Sequence, residues 1–152
     1  MIGFFSSRRF VPVVALVLLS LALPASADKA ADGCEELRLS GDFVVTSQQG
    51  TRQEVALSGR ASPGGSFTGV FTGKQLGNND VIGDVTLDFG GGDTLTYHQE
   101  LEFDEETGVI VGTFEITGGT GRFEGASGSG TTSIDPAGGG TGTFELEGTL
   151  CT

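Results

Sequence analysis

The sequence predicts an all-β fold: an eight-stranded antiparallel up-and-down barrel closed by pairing of its first and last strands. Three observations predict it. Apolar and polar residues alternate with period two in eight runs from Glu36 onward, the period of a half-buried strand. Turn-forming clusters separate the runs, and two cysteines, Cys34 and Cys151, stand at the two ends of the patterned region. Composition agrees, because 27 glycines in 152 residues disfavour helices, whose interiors lose about 1 kcal/mol for each Gly in place of Ala. No run shows a 3.6-residue repeat.

The first run places Leu37, Leu39, Gly41, Phe43 and Val45 on one parity, with Arg38, Ser40 and Asp42 opposite. Val55, Leu57 and Gly59 follow, opposed by Glu54, Ser58 and Arg60, then Phe67, Gly69, Phe71 and Gly73. The fourth run, Val81 to Phe89, sets its apolar members against Asp80, Asp84 and Asp88. In the fifth, Leu95, Tyr97, Gln99, Leu101 and Phe103 oppose His98, Glu100 and Glu102. Ile110, Gly112, Phe114 and Ile116 make the sixth; the seventh, Ser127 to Ile134, is weak because Gly, Ser and Thr dominate it. Phe144, Leu146, Gly148 and Leu150 complete the set. Gln49-Gly50, Pro63-Gly64-Gly65, Gly77-Asn78-Asn79, Gly90 to Gly92, Glu106 to Gly108, Gly118 to Gly125 and Pro136 to Gly140 supply the reversals.

An open sheet of this size exposes two edges, which closure removes. In an up-and-down barrel with an even number of strands, the first strand begins where the last one ends. Cys34 and Cys151 both carry outward parity, so a disulfide between them would pin the closing seam from outside. A two-thiolate metal site is the competing use of the pair, but no further Cys or His supplies its remaining ligands.

Residues 1–27 read as a secretory signal peptide. Arg8 and Arg9 precede a mostly apolar stretch from Val11 to Leu23, and small residues Ala25 and Ala27 precede the expected cleavage before Asp28. That stretch is shorter than the roughly 20 residues that span a bilayer. Residues 28–152 then form a single β-barrel domain, secreted or periplasmic, with no membrane attachment after cleavage. Without Arg8 and Arg9 the formal charge of −12 becomes −14. Such a surface excludes nucleic acid and anionic membranes as partners, since phosphate binding needs clustered Lys or Arg. The pattern leaves the oligomeric state open.

The inward parity carries the candidate chemistry. Tyr97, the sole tyrosine, lies beside Gln99, and with Phe71, Phe89 and Phe114 they form the candidate ligand-binding set in the lumen. Gln53 and Gln75 share that parity. Seven phenylalanines in all take it (Phe43, Phe67 and Phe103 among them), whereas Phe123 falls in a turn. Inward glycines between the phenylalanines would return volume to the lumen. The only histidine, His98, faces outward, as do the clustered acids, and a solvated surface is their expected role. No residue is singled out as catalytic. No cofactor and no metal site is expected.

The segment from Phe114 to Gly128, with its Gly118-Gly119-Thr120-Gly121-Arg122-Phe123 turn and Gly125-Ala126-Ser127-Gly128 return, resembles the allene oxide cyclase and dirigent-like barrel superfamily. The resemblance implies a barrel that holds an apolar small molecule and steers a cyclisation or coupling with little covalent chemistry of its own. In the turn itself, Phe123 is placed to plug the barrel end and Arg122 to pair with a neighbouring acid. Members of that group line their cavities with carboxylates, Arg, Tyr or Asn; here the inward parity offers Tyr97 and the glutamines, and the acids lie outside. The expected function is therefore a secreted barrel binding a small apolar molecule as carrier or stereochemical template. The alternatives are a cyclase or isomerase acting on a hydrophobic polyene or epoxide, and a ligand-free extracellular structural or interaction module. Cavity volume decides among them, because below about 300 Å³ a drug-sized ligand has no place to bind.

Overall fold

The computed structural model describes residues 33–152, so the expected signal peptide lies outside the described residues. The chain forms β1 (Cys34–Gln49), β2 (Arg52–Ser62), β3 (Gly65–Gln75), β4 (Val81–Asp88), β5 (Thr94–Phe103), β6 (Ile110–Thr120), β7 (Ser127–Gly138) and β8 (Thr141–Cys151), with one short 3-10 turn at Gly121–Phe123. Each strand pairs antiparallel with its sequence neighbours, and β1 pairs with β8, which closes the barrel in the expected order.

The seam is long. β1 and β8 run in register from Cys34 opposite Cys151 to Val44 opposite Thr141. The two cysteines are disulfide-bonded, with Cα atoms 4.0 Å apart, at the outer edge of that seam. Burial follows parity: Leu37, Leu39, Val85, Leu87, Leu95, Tyr97, Leu146 and Leu150 are all 2% exposed or less, while the intervening residues face solvent.

Three bulges interrupt the ladders, between Val45 and Ser47, between Thr96 and Tyr97 opposite β6, and between Pro136 and Gly138. Bulges bend strands and add twist, which a closed barrel needs. Opposite Thr96 and Tyr97 the extra residue is Thr117: Ile116 pairs with Tyr97, and Gly118 with Thr96. The step puts Gly119 beneath Phe123, where a Cβ would come within 2.7 Å of the Phe123 Cβ. β6 thus runs three residues beyond Thr117, and the turn expected from Gly118 is confined to Gly121–Ala126.

The even strand number sorts the connections into two rims. One rim holds the disulfide and the β2–β3, β4–β5 and β6–β7 connections; the other holds the β1–β2, β3–β4, β5–β6 and β7–β8 connections. Phe103 shows what parity alone misses. It has inward parity but is 39% exposed, because β5 ends there, at the second rim, with only Ile110 paired beside it.

Candidate functional site

The barrel interior is filled at the disulfide rim and hollow at the other. At the filled end an aromatic chain runs across the lumen: Phe123 to Phe89 at 4.9 Å between ring centroids, Phe89 to Phe67 at 5.7 Å, and Phe67 to Phe144 at 6.3 Å. Tilted pairs of this kind add about 0.5–1.5 kcal/mol each beyond area burial. Arg122 fastens the plug from outside. Its guanidinium carbon lies 4.9 Å from the Phe123 ring centroid and 5.4 Å from that of Phe89. Its Nη2 donates to the Gly64 carbonyl at 2.7 Å, and its Nε sits 3.2 Å from Asp93 Oδ2. Asp93 Oδ1 also accepts the Arg122 backbone N–H at 3.1 Å. One side chain therefore ties together the β2–β3, β4–β5 and β6–β7 connections. Phe123 and Arg122 do what the turn motif suggested, and the acid concerned is Asp93.

Towards the second rim the lumen opens into a cavity of about 250 Å³. Its wall is mainly apolar, including Phe43, Val55, Phe71, Leu101, Ile134 and Phe144. The volume is modest because the inward glycines are already occupied. Phe71 lies over Gly73 and Gly83: a Cβ on Gly83 would come within 2.6 Å of Phe71 Cε2. Phe43 lies over Gly142 and Phe114 over Gly148 in the same way. These glycines provide seats for rings rather than empty space, and each ring packs flatter against the wall than a neighbouring side chain would permit.

One side of the cavity is polar. Tyr97 and Gln99 of β5 line it at 2% and 6% exposure, with Thr132 of β7 on the same side, while Gln53 of β2 lies across the lumen. Burial pushes the Tyr97 hydroxyl far above its ordinary pKa of 10.0, so it stays a neutral phenol across the physiological range. The Tyr97 ring is held edge-on against Phe114, with centroids 5.5 Å apart. Thr132 Oγ1 is buried without a hydrogen-bond partner among the described residues. An unpartnered buried hydroxyl costs about 1–3 kcal/mol, and this oxygen is sealed from the cavity as well as from solvent.

The raised Tyr97 pKa has a measurable consequence. The folded state holds the proton more tightly than the unfolded chain, so this stabilisation is fully present below pH 10 and is lost as pH rises above it. Tyr97 is the sole tyrosine. Native protein at pH about 11 should therefore show no tyrosinate absorbance, while protein unfolded in denaturant titrates with a midpoint near pH 10. Tyrosinate absorbance in the native protein at that pH would contradict the burial of this hydroxyl.

Of the five residues expected to contact a ligand, Phe71, Tyr97 and Gln99 line the cavity. Phe114 lies behind Tyr97, and Phe89 sits at the plugged rim, beyond the aromatic barrier, so neither faces the hollow. Gln75 turns to its own loop and donates to Asn79 Oδ1 at 3.3 Å. His98 is on the outer face, with Nδ1 2.9 Å from Asp84 Oδ1. Sequence reasoning missed Thr132. Its signal was the parity of Ile134, two residues on, in a strand whose Gly, Ser and Thr content hid the alternation.

No family model matches the chain, and no curated protein does either. Solved structures do. The pterocarpan synthase dirigent protein PsPTS1 superposes with a TM-score of 0.54 at 16% identity, over 80% of this chain and 97% of that one. The pterocarpan synthase dirigent protein GePTS1 gives 0.52 at 14% identity, over 80% of this chain and 87% of that one. With its closed eight-strand order and these likenesses, the chain has the fold of a dirigent-like barrel.

Proposed function

We propose that this chain is a secreted dirigent-like barrel that holds one small, largely apolar molecule in its lumen, as a carrier or a stereochemical template. The observation that carries this reading is the hollow half of the barrel, a cavity of about 250 Å³ with an apolar wall and a polar side at Tyr97 and Gln99. Ligand pockets are typically concave, apolar and marked by a few placed polar groups. The volume lies below the usual 300–1,000 Å³ range. It exceeds the roughly 150 Å³ apolar cavity that accommodates benzene, so the ligand is a molecule of one or two rings or an equivalent short chain. Larger polyenes do not fit the space described.

The solved neighbours carry the name pterocarpan synthase. At this identity the likeness shows the fold alone and does not transfer the reaction. No carboxylate, Lys, Arg or His lines the cavity, which favours binding and orientation over proton transfer by the protein itself. The test is native mass spectrometry of protein exported by its own cell, together with thermal shift against one- and two-ring aromatics. A bound mass of about 100–250 Da, or a dose-dependent rise in melting temperature as binding to the native state requires, supports the reading. A lumen that is empty on export and indifferent to every such compound would leave a structural module as the function.

A further inference from the structure

Gln53, Phe71 and Gln99 all border the cavity, and the strand ladder puts them in a fixed relation. One register row crosses four adjacent strands, from Gln53 of β2 through Gly73 and Gly83 to Gln99 of β5. The two glycines of that row carry the Phe71 ring. A Cβ on Gly73 would come within 2.6 Å of Phe71 Cε1, and one on Gly83 within 2.6 Å of Cε2. These carbons are opposite edges of one ring, so the ring bridges both strands flat against the wall and turns a face to the lumen. Along the row the wall is thus amide, aromatic face, amide. Neighbouring strands lie about 4.8 Å apart, so the three intervals span about 14 Å of wall. β2 and β5 stand three places apart in a closed ring of eight, which sets the two amides on opposing walls. They also differ in depth. Gln53 is the second residue of β2, at the open rim, whereas Gln99 lies four residues inside the end of β5 and is 6% exposed.

We propose that the cavity selects planar two-ring molecules with a hydroxyl or carbonyl group at each end of the long axis, the inner group bonded to Gln99 and the outer one to Gln53. This rests on the small-molecule reading above and adds the shape and polarity of the ligand to it. An amide carries two donors and an acceptor, so either glutamine serves either group. Between the amides the guest meets the Phe71 face, and such aromatic contact adds about 0.5–1.5 kcal/mol beyond area burial. A guest with only one polar end covers the other amide with an apolar surface. Burying a polar group without a partner costs about 1–3 kcal/mol, so that guest is disfavoured.

The experiment compares naphthalene, 2-naphthol, 2,3-dihydroxynaphthalene and 2,6-dihydroxynaphthalene by calorimetry, against the wild-type barrel, Gln53→Met and Gln99→Met. The two diols have the same composition, but one carries both hydroxyls at one end and the other carries one at each end. In the wild type, the 2,6-diol should bind about tenfold more tightly than either the 2,3-diol or 2-naphthol, the worth of one further good hydrogen bond. Each methionine variant keeps the side-chain length and removes the amide, so the advantage of the 2,6-diol over 2-naphthol should fall to near parity in both. Naphthalene should bind both variants as it binds the wild type, which also reports that they are folded. Equal binding of the two diols by the wild type overturns the two-ended selection, and this comparison needs no variant. An undiminished 2,6-diol advantage in either variant overturns the role given to that glutamine. If none of the four compounds binds the wild type, the small-molecule reading itself fails, and the selectivity with it.

Discussion

Cys34→Ser together with Cys151→Ser should lower the unfolding free energy by about 4–5 kcal/mol and the melting temperature by about 15 °C. The bridge joins residues separated by 117 positions, nearly the whole described chain. Cross-linking so long a loop removes much of the conformational freedom of the unfolded ensemble, by an amount that grows with the logarithm of loop length. The folded state changes little. β1 and β8 remain paired from Glu35 opposite Leu150 to Val44 opposite Thr141, so the barrel stays closed at low temperature. Urea unfolding of the oxidised wild type and the double variant reads the difference directly. A loss below about 1 kcal/mol would mean that the unfolded chain already keeps its ends together, or that the seam without the bridge gains what the cross-link supplied.

The seam was legible before any coordinates because two independent constraints converged on it. Strand parity put Cys34 with Arg38 and Cys151 with Glu147 on the outer face, and the register places Arg38 opposite Glu147. Strand parity holds wherever the ladder is regular, which is why Leu37, Val85, Leu95 and Leu146 are buried as expected. It weakens where a ladder ends or bulges. Phe103 and the segment after Thr117 illustrate each case: one has inward parity but no wall around it, and the other steps by one residue and carries its alternation across.

Depth along the barrel is a different variable, and period two contains no information about it. Phe71, Phe89 and Phe114 share inward parity, yet one lines the cavity, one plugs a rim and one backs a tyrosine. Deciding among them requires the stagger of eight strands, which no local pattern encodes. The same limit applies to the Arg122–Asp93 contact, whose members lie 29 positions apart in separate connections. Inward glycines posed the converse problem. Read as missing side chains they promise volume, but Gly83, Gly142 and Gly148 are covered by rings from other positions, so the lumen is smaller than a residue count suggests.

The same placement makes Phe71 the residue through which cavity size can be changed. It is 4% exposed, lies over Gly73 and Gly83, and forms part of the cavity wall. Phe71→Ala should destabilise the barrel by about 3–5 kcal/mol, the usual cost of removing a buried ring. The glycines beneath cannot refill the space, since neither has a side chain to rotate into it. The vacated volume therefore joins the existing cavity, and a three-ring hydrocarbon such as phenanthrene should raise the melting temperature of Phe71→Ala but not of the wild type. Phe89→Ala is the informative control, because it removes a ring of equal size from the plugged rim, away from the cavity. It should lose stability without admitting phenanthrene. Equal responses from both variants would show that the two ends of the lumen communicate, and the division into a sealed rim and an open one would have to be abandoned.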